Sequence, residues 1–217
     1  MKAPLFVMLI FCNNFLSSQE FLFDNQRGEY YLTIHKNGSS SLERLAVDNP
    51  SRYSLHNTEF LKKNNVDRVV VFVRDPIERV MSGLATQMAI YGISQQAIEK
   101  MANDTISIMD AHTAPQFWFL LAAAKELDCK FDIRSLDMLN LVDYNIQQLN
   151  KSSSNNIKLS DATLTQLNHF YTEDIVLFNQ FQNSTATVEE IRTKILLEKD
   201  FIDNLNQYKE CLTFYFK

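Results

Sequence analysis

"VVVFVRDPIERVMSG" (residues 69–83) is the strongest structural signal in this chain of 217 residues. Its unbroken apolar run, VVVFV, suits a strand that is buried on both faces of a parallel sheet. The helix that follows has a clear start, because Asp75 can cap it, Pro76 fits its first position and Glu78 lies three residues beyond the cap. The stretch therefore predicts a strand-to-helix connection, which is typical of a layered α/β domain.

Other segments continue this alternation of strands and helices. The quoted helix should turn one apolar face to the core, formed by Ile77, Val80, Met81, Leu84 and Met88. Further strands are predicted at 29–34 and 130–136. Further helices are predicted at 40–47, 58–64, 115–127, 137–149, 160–168 and 188–211, with a polar loop at 151–156. We therefore expect a single α/β domain with a central parallel sheet flanked by helices.

The composition bears on nucleic-acid binding, on metal binding and on the redox state of the compartment. With 46% hydrophobic and 22% charged residues the chain has ordinary globular usage. The net charge of -5 argues against general nucleic-acid binding, although a local basic pocket is still compatible with it. Three widely separated cysteines form neither a metal-binding spacing nor an even disulfide set, which favours a reduced, cytoplasmic setting. No metal site is predicted.

The N-terminus allows more than one interpretation. An apolar run at residues 3–12 follows Lys2 and is too short to span a bilayer by itself. It could be the core of a signal peptide, or an extra helix or strand packed on the domain. Membrane attachment is not expected, and the cellular location stays open.

A second stretch, "IHKNGSSSLERL" (residues 34–45), has the character of an anion-binding loop. A strand leads into it and a helix leaves it, and free N–H groups at a helix N-terminus favour phosphate. Gly38 permits close approach of the backbone, three serines (residues 39–41) offer hydroxyl donors, and Lys36 adds a cation. The competing interpretation is a capped helix after a strand. The Walker A pattern is absent, because here lysine precedes glycine.

The stretch at 69–83 offers a second anion site. Arg74 stands at the carboxyl end of the predicted buried strand, where open α/β sheets bind ligands. Ser82 follows eight residues later, about two turns into the helix. An arginine fork and a hydroxyl can hold a phosphate, whereas the competing interpretation is a salt bridge that closes the strand end. Asp75 is predicted to be a cap, and Arg79 a structural ion pair or a surface residue.

Together the two stretches resemble the paired signatures of sulfotransferases that use 3'-phosphoadenosine-5'-phosphosulfate (PAPS), nearest the Golgi-type carbohydrate branch. "IHKNGSSSL" resembles the family's 5'-phosphosulfate loop, and "FVRDPIERVMSG" its 3'-phosphate segment. "DAHTAPQFWFL" (110–120) is similar to a His-x-x-Pro-Gln segment of the carbohydrate branch. "FYTEDIVLFNQF" (170–181) resembles a Tyr-x-x-Asp-x-x-x-Phe segment near the end of the domain.

The resemblance implies a fold, a donor and a set of site residues. The fold would be the P-loop, nucleotide-kinase-like sulfotransferase fold over residues 28–182, with an N-terminal apolar extension (1–27) and a C-terminal helical extension (183–217). PAPS would be the sulfonate donor and a carbohydrate or other hydroxyl the acceptor. The residues implied for the 5' end of the donor are Lys36, Asn37, Gly38, Ser39, Ser40 and Ser41, and those for the 3'-phosphate are Arg74 and Ser82.

Sulfonate transfer also needs a group that accepts the proton of the acceptor hydroxyl, and histidine suits this role near neutral pH. His56 lies between the two signatures, as the catalytic histidine does in the glycosaminoglycan sulfotransferases that this chain resembles. We therefore predict His56 as the base and Lys36 as the residue that stabilises the leaving phosphate. His112 is the rival base, and with Gln116 it is alternatively a substrate contact. His35 should turn to the other side from Lys36, because side chains alternate along a strand.

Two alternative functions stay open. One is a nucleotide-binding module of the same fold without turnover. The other is a phosphoryl-transfer kinase, which the missing Walker A pattern and the lack of an obvious Mg²⁺-binding set make the weaker alternative.

Overall fold

The computed structural model describes residues 20–24, 27–45, 52–54, 59–104, 112–137 and 157–197. His56, most of the predicted helix at 137–149, the loop at 151–156 and the region after residue 197 lie outside the described residues.

One six-stranded sheet forms the centre of the described part. Its strands are β1 (Glu20–Asp24), β2 (Glu29–Leu32), β3 (Arg52–Ser54), β4 (Arg68–Val73), β5 (Lys130–Ser135) and β6 (Ser184–Thr187). They lie in the order β3-β1-β2-β4-β5-β6. The neighbours β2, β4 and β5 are parallel, as predicted, whereas β1, β3 and β6 pair antiparallel. The sheet is therefore mixed, with a parallel centre and antiparallel margins.

Eight helices accompany the sheet in the described ranges. They are α1 (Ser39–Leu45), α2 (Glu59–Lys63), α3 (Pro76–Tyr91), α4 (Gln95–Asn103), α5 (Gln116–Glu126), α6 (Asp161–Phe170), α7 (Thr172–Phe181) and α8 (Val188–Leu197). The predicted start of α3 is confirmed, because Asp75 accepts a hydrogen bond from the Glu78 N–H at 2.9 Å and Pro76 opens the helix. None of these helices is long and apolar enough to cross a bilayer.

Strand β4 is buried on both faces, as its unbroken apolar run predicts. Val69, Val71 and Val73 belong to the larger core cluster, which includes the aromatic residues of α5. Val70 and Phe72 belong to a second cluster on the other face, which includes Leu42 of α1. The sheet is thus covered on one face by α5 and on the other by α1. Trp118 is part of the core at 4% exposure.

Helix α3 packs in a third cluster with α4 and α6. In this cluster α3 contributes two fully buried residues, Val80 and Leu84. Three further residues of α3 are partly buried and pack against the cluster, as the apolar face of the sequence predicts: Ile77, Met81 and Met88. Gly83 gives the closest approach on this helix, since an added Cβ atom would lie 2.5 Å from the carbonyl oxygen of His112. The segment before α5 is therefore pressed directly against α3.

The sheet takes strands from both ends of the described chain. Residues 20–24, which the sequence assigned to an N-terminal extension, form β1 beside β2. Residues 184–197, assigned to a C-terminal extension, form β6 and α8. Arg192 of α8 donates a hydrogen bond to the Ala124 carbonyl of α5, which joins this helix to the main core.

Candidate functional site

The two predicted anion-binding loops begin at the carboxyl ends of neighbouring parallel strands, and we call the side of the sheet formed by these strand ends the sheet edge. Strands β2 and β4 are parallel neighbours, with Leu32 opposite Val71, so the loops after their carboxyl ends lie side by side. This edge is where open α/β sheets bind their ligands. The candidate site therefore consists of the loop at residues 33–41, which we call the lysine-glycine loop, and the residues from Arg74 onward.

The lysine-glycine loop is a tight turn that leads into α1. Both Lys36 (φ 68°) and Gly38 (φ 79°) have left-handed backbone conformations. The Asn37 N–H donates to the Ile34 carbonyl at 3.0 Å, and the Ser41 N–H donates to the Gly38 carbonyl at 3.0 Å. A Cβ atom on Gly38 would lie 3.1 Å from a methyl group of Leu136, so the turn also packs closely on the residue after β5.

The serines of this loop differ in exposure. Ser39 and Ser40 are partly exposed at the start of α1, whereas Ser41 is buried at 5% exposure. Lys36 is partly exposed as well. Ser41 therefore faces the protein, whereas the side chains of Lys36, Ser39 and Ser40 keep some contact with solvent.

Asn37 points its side chain into the protein. It is 1% exposed, and its amide nitrogen donates to the Phe72 carbonyl at 3.0 Å and to Gln116 Oε1 at 2.9 Å. The Asn37 side chain is thus turned away from a ligand at this loop, and its N–H is already donated to the Ile34 carbonyl. This inward role could not be predicted from the sequence, because the partners lie 35 and 79 positions away.

Gln116 bridges the two loops with one carboxamide group. Its Oε1 accepts from the Arg74 N–H at 3.0 Å and from the Asn37 amide, while its Nε2 donates to the Arg74 carbonyl at 2.6 Å. The residue is 0% exposed. We predicted Gln116 as a substrate contact, and the structure corrects this, since its amide is buried and committed to protein partners.

Arg74 reaches the sheet edge, but Ser82 does not. The Arg74 side chain is 26% exposed, and its Nε donates to Glu78 Oε2 at 3.2 Å, with Glu78 itself 66% exposed. Such an exposed pair contributes little and opens easily. Ser82 is 2% exposed on the inner side of α3. The two residues predicted for one phosphate are thus in different surroundings, with only Arg74 accessible.

The histidines also differ from expectation. The rings of His35 and His112 lie 4.9 Å apart between centroids, at an interplanar angle of 54°. Residues 35–38 form a turn rather than a strand, so the alternation argument that placed His35 on the other side does not apply. His35, which the sequence analysis set aside on that argument, thus lies beside His112. The predicted base, His56, lies outside the described residues.

Arg79 is not at the surface, which was one of its two predicted settings. It is 1% exposed and donates from Nε to the His35 carbonyl at 3.0 Å and from Nη1 to the Ala114 carbonyl. Its guanidinium carbon lies 5.6 Å from the centroid of the Phe119 ring, within the range of a cation–π contact. Arg79 thus ties the lysine-glycine loop to the segment before α5.

Helix α7 fixes the same segment from the other side. Asp174 accepts hydrogen bonds from the N–H groups of Gln116 (3.3 Å) and Phe117 (3.0 Å), which caps α5 with a side chain from another helix. The Tyr171 hydroxyl donates to the Thr113 carbonyl at 2.6 Å. Burial raises the pKa of Asp174 to about 6, although these backbone donors and the charge of Arg79 act in the opposite direction.

The described residues contain no group of three or more histidine, cysteine, aspartate or glutamate side chains that could hold a metal ion. A cavity of about 300 Å³ lies between α7 and α8, away from the sheet edge. None of the predicted site residues lines it; its wall is formed by Gln180, Phe181, Glu189, Glu190, Thr193 and Lys194.

Comparison with protein-family models, with curated proteins and with solved structures finds no match to this chain. The geometry and chemistry of the sheet edge therefore carry the functional argument.

Proposed function

We propose that this chain is a PAPS-dependent sulfotransferase with the P-loop-like sulfotransferase fold. It transfers a sulfonate group to an acceptor hydroxyl, for which we propose a carbohydrate. One observation carries the proposal: the lysine-glycine loop and Arg74 lie at the same edge of the parallel strands and are joined through Gln116. A nucleotide with anionic groups at both its 5' and 3' positions matches two such loops. The sequence resemblance names the same two loops independently of the fold.

The proposed roles follow from the position of each group. The backbone and hydroxyl groups of Ser39 and Ser40 bind the 5' phosphosulfate, and Lys36 stabilises the negative charge that develops on the departing phosphate. Arg74 exchanges its exposed partner Glu78 for the 3'-phosphate, since an arginine–phosphate pair is bidentate and charge-assisted. Ser82 is a buried neighbour of this site rather than an open contact.

The reaction balances without a metal or a redox partner. The acceptor oxygen forms a bond to sulfur, the bond between sulfur and the phosphate oxygen breaks, and adenosine 3',5'-bisphosphate leaves. The acceptor proton passes to a histidine, for which we propose His56. His112 stays the rival base, and its contact with His35 places it beside the lysine-glycine loop.

Transfer of labelled sulfonate from PAPS to a panel of carbohydrates and phenols tests this proposal. Wild type is expected to label at least one acceptor, and Lys36→Ala should lower the rate by about 100-fold or more. Lys130→Ala is the matched control, because Lys130 is an exposed lysine at the opposite end of the same sheet. A wild-type rate in Lys36→Ala would contradict the proposed role of that lysine.

Substitution of the histidines separates the two candidate bases. His56→Ala should leave binding of adenosine 3',5'-bisphosphate intact and lower transfer by about 100-fold or more. If His112→Ala does this instead, His112 is the base.

The nucleotide-binding module without turnover is the second candidate. It is favoured by the pairing of Arg74 with Glu78 and by the burial of Ser82, which leave the 3' site less open than the resemblance implies. Binding of the bisphosphate without transfer to any acceptor would support it.

A further inference from the structure

We infer that Gln116 is a positioning residue that fixes the distance between the two anion-binding loops, so that one ligand with two phosphates fits both at once. The inference rests on the proposed function, since it assumes that both loops bind phosphate. It assigns a role to Gln116 different from the substrate contact that the sequence indicated.

We call Gln116 a clamp because its side chain hydrogen-bonds one residue in each of the two loops. Its carboxamide pairs with both backbone groups of Arg74, so it fixes the position and the orientation of that residue. The same Oε1 accepts from Asn37, whose amide nitrogen also donates to the Phe72 carbonyl at the end of β4. Three hydrogen bonds of this buried carboxamide go to the two loops, and its side chain also hydrogen-bonds the Asp174 carboxylate.

Three residues hold the segment that carries Gln116 in place. Asp174 caps the first turn of α5, which begins with Gln116. The Tyr171 hydroxyl holds the Thr113 carbonyl, and Arg79 holds the Ala114 carbonyl. Residues of α3 and α7 hold the segment that carries Gln116. Gln116 therefore stays in place and keeps the two loops at one separation.

A clamp of this kind has a specific thermodynamic consequence. A ligand with one phosphate needs only one loop to be in place, whereas a ligand with two needs the loops at the correct separation. Without the clamp, binding of two phosphates must also fix that separation, which costs binding free energy. Loss of Gln116 should therefore weaken the doubly phosphorylated ligand by more than the combined losses of the singly phosphorylated ones.

Four compounds measure this directly: adenosine, adenosine 5'-phosphate, adenosine 3'-phosphate and adenosine 3',5'-bisphosphate. Their dissociation constants form a cycle that gives the coupling between the two phosphates. The cycle is measured by calorimetry on wild type and Gln116→Met, which keeps the side-chain length and removes the amide. Asn37→Ser is the second variant, because it removes the bond between Gln116 and the lysine-glycine loop, together with the bond from Asn37 to the Phe72 carbonyl, and keeps both bonds between Gln116 and Arg74. Gln87→Met is the matched control, as Gln87 is a buried glutamine further along α3.

We expect the coupling to fall by about tenfold or more in Gln116→Met and Asn37→Ser and to be unchanged in Gln87→Met. A Gln116→Met protein that binds all the phosphorylated compounds with equally reduced affinity would show a merely structural role and overturn the inference. Should Gln116→Met not fold, Asn37→Ser is measured in its place. A loss of coupling in that variant supports the inference, and an unchanged coupling overturns it. If wild type binds none of the phosphorylated compounds, the proposed function itself fails, and the inference fails with it.

Discussion

At the scale of single residues, Arg79 shows how a charge can be kept inside this protein. Two backbone carbonyls accept its hydrogen bonds and the Phe119 ring lies beside its guanidinium group. Hydrogen bonds to a charged donor are stronger than those between neutral groups, and they offset part of the cost of burial. Because one carbonyl belongs to His35 and the other to Ala114, the residue connects two segments that are far apart in sequence.

Arg79→Met should destabilise the protein by about 3 kcal/mol, because it leaves one buried and one partly buried carbonyl without their donor. Urea unfolding measures the change. Arg68→Met is the matched control, since Arg68 is exposed at the start of β4 and its loss should change the free energy of unfolding by less than about 0.5 kcal/mol. Equal effects of the two substitutions would contradict the structural role of Arg79.

Asp174 should lower the free energy of unfolding as the pH rises, which is opposite to the effect of most carboxyl groups. Its pKa in the folded protein is raised from 3.8 to about 6, so the folded state holds the proton more tightly than the unfolded chain. The stabilisation from this protonation is therefore complete below about pH 4 and is lost as the pH rises through about 6.

Comparison with Asp174→Asn isolates this effect, because the amide does not titrate. The stability of wild type relative to this variant should fall by roughly 2–3 kcal/mol between about pH 4 and pH 7. Urea unfolding of both proteins across that range gives the difference. A relative stability that rises with pH would show that attraction to Arg79 outweighs the burial of the carboxylate.

At the scale of elements, α3 depends on a small residue where it meets the segment before α5. A Cβ atom at position 83 would lie 2.5 Å from the His112 carbonyl oxygen and 2.8 Å from the Thr113 side chain. Backbone cannot yield as a flexible side chain does, so this contact requires glycine although glycine weakens a helix by about 1 kcal/mol.

Gly83→Ala is expected to destabilise the protein by about 1–3 kcal/mol despite the better helix propensity of alanine. Thermal or urea unfolding measures it. Gly92→Ala is the control: Gly92 has φ 62° with no atom near an added Cβ, so it should cost only about 1 kcal/mol of backbone strain. A stabilising Gly83→Ala would show that the 112–113 segment can move away freely.

The turn of the lysine-glycine loop allows a similar comparison. Gly38 and Gly28 both have positive φ angles, 79° and 65°, but only Gly38 lies in the candidate site. Both alanine substitutions should cost about 1 kcal/mol of stability. Only Gly38→Ala should also lower the affinity for adenosine 3',5'-bisphosphate, because its backbone strain and its 3.1 Å approach to a methyl group of Leu136 fall within the proposed binding loop. Calorimetric titration of both variants tests this, and equal affinities would count against the loop as the binding element.

The elements that sequence reasoning found are those with strong local signals. The apolar run of β4, the Asp75 cap and the Pro76 start of α3 are each encoded within a few residues. Strand β6 was missed because its sequence, STAT, has no apolar run and gains its regularity from pairing with β5. Short margin strands depend on their neighbours in the sheet more than on their own composition.

At the scale of the whole molecule, sequence predicted which loops would meet but not what joins them. The parallel pairing of β2 and β4 brings Lys36 and Arg74 to one edge, as the strand-loop-helix pattern of each segment predicts. The connection through Gln116 could not be predicted, because its partners lie 42 and 79 positions away. The local sequence of a polar residue does not specify such distant partners, so Gln116 and Arg79 were assigned other roles.

Thermal unfolding with adenosine 3',5'-bisphosphate shows whether the carboxyl ends of the parallel strands bind a nucleotide that is phosphorylated at its 5' and 3' positions. At 100 times its Kd the ligand should stabilise by about 2.7 kcal/mol, a rise in Tm of roughly 5–10 °C for a chain of this size. The rise should vanish in Arg74→Ala and persist in Arg68→Ala, whose arginine stands at the other end of β4. No rise in wild type, an equal rise in Arg74→Ala, or a rise only with ATP and Mg²⁺ would contradict binding of such a nucleotide there.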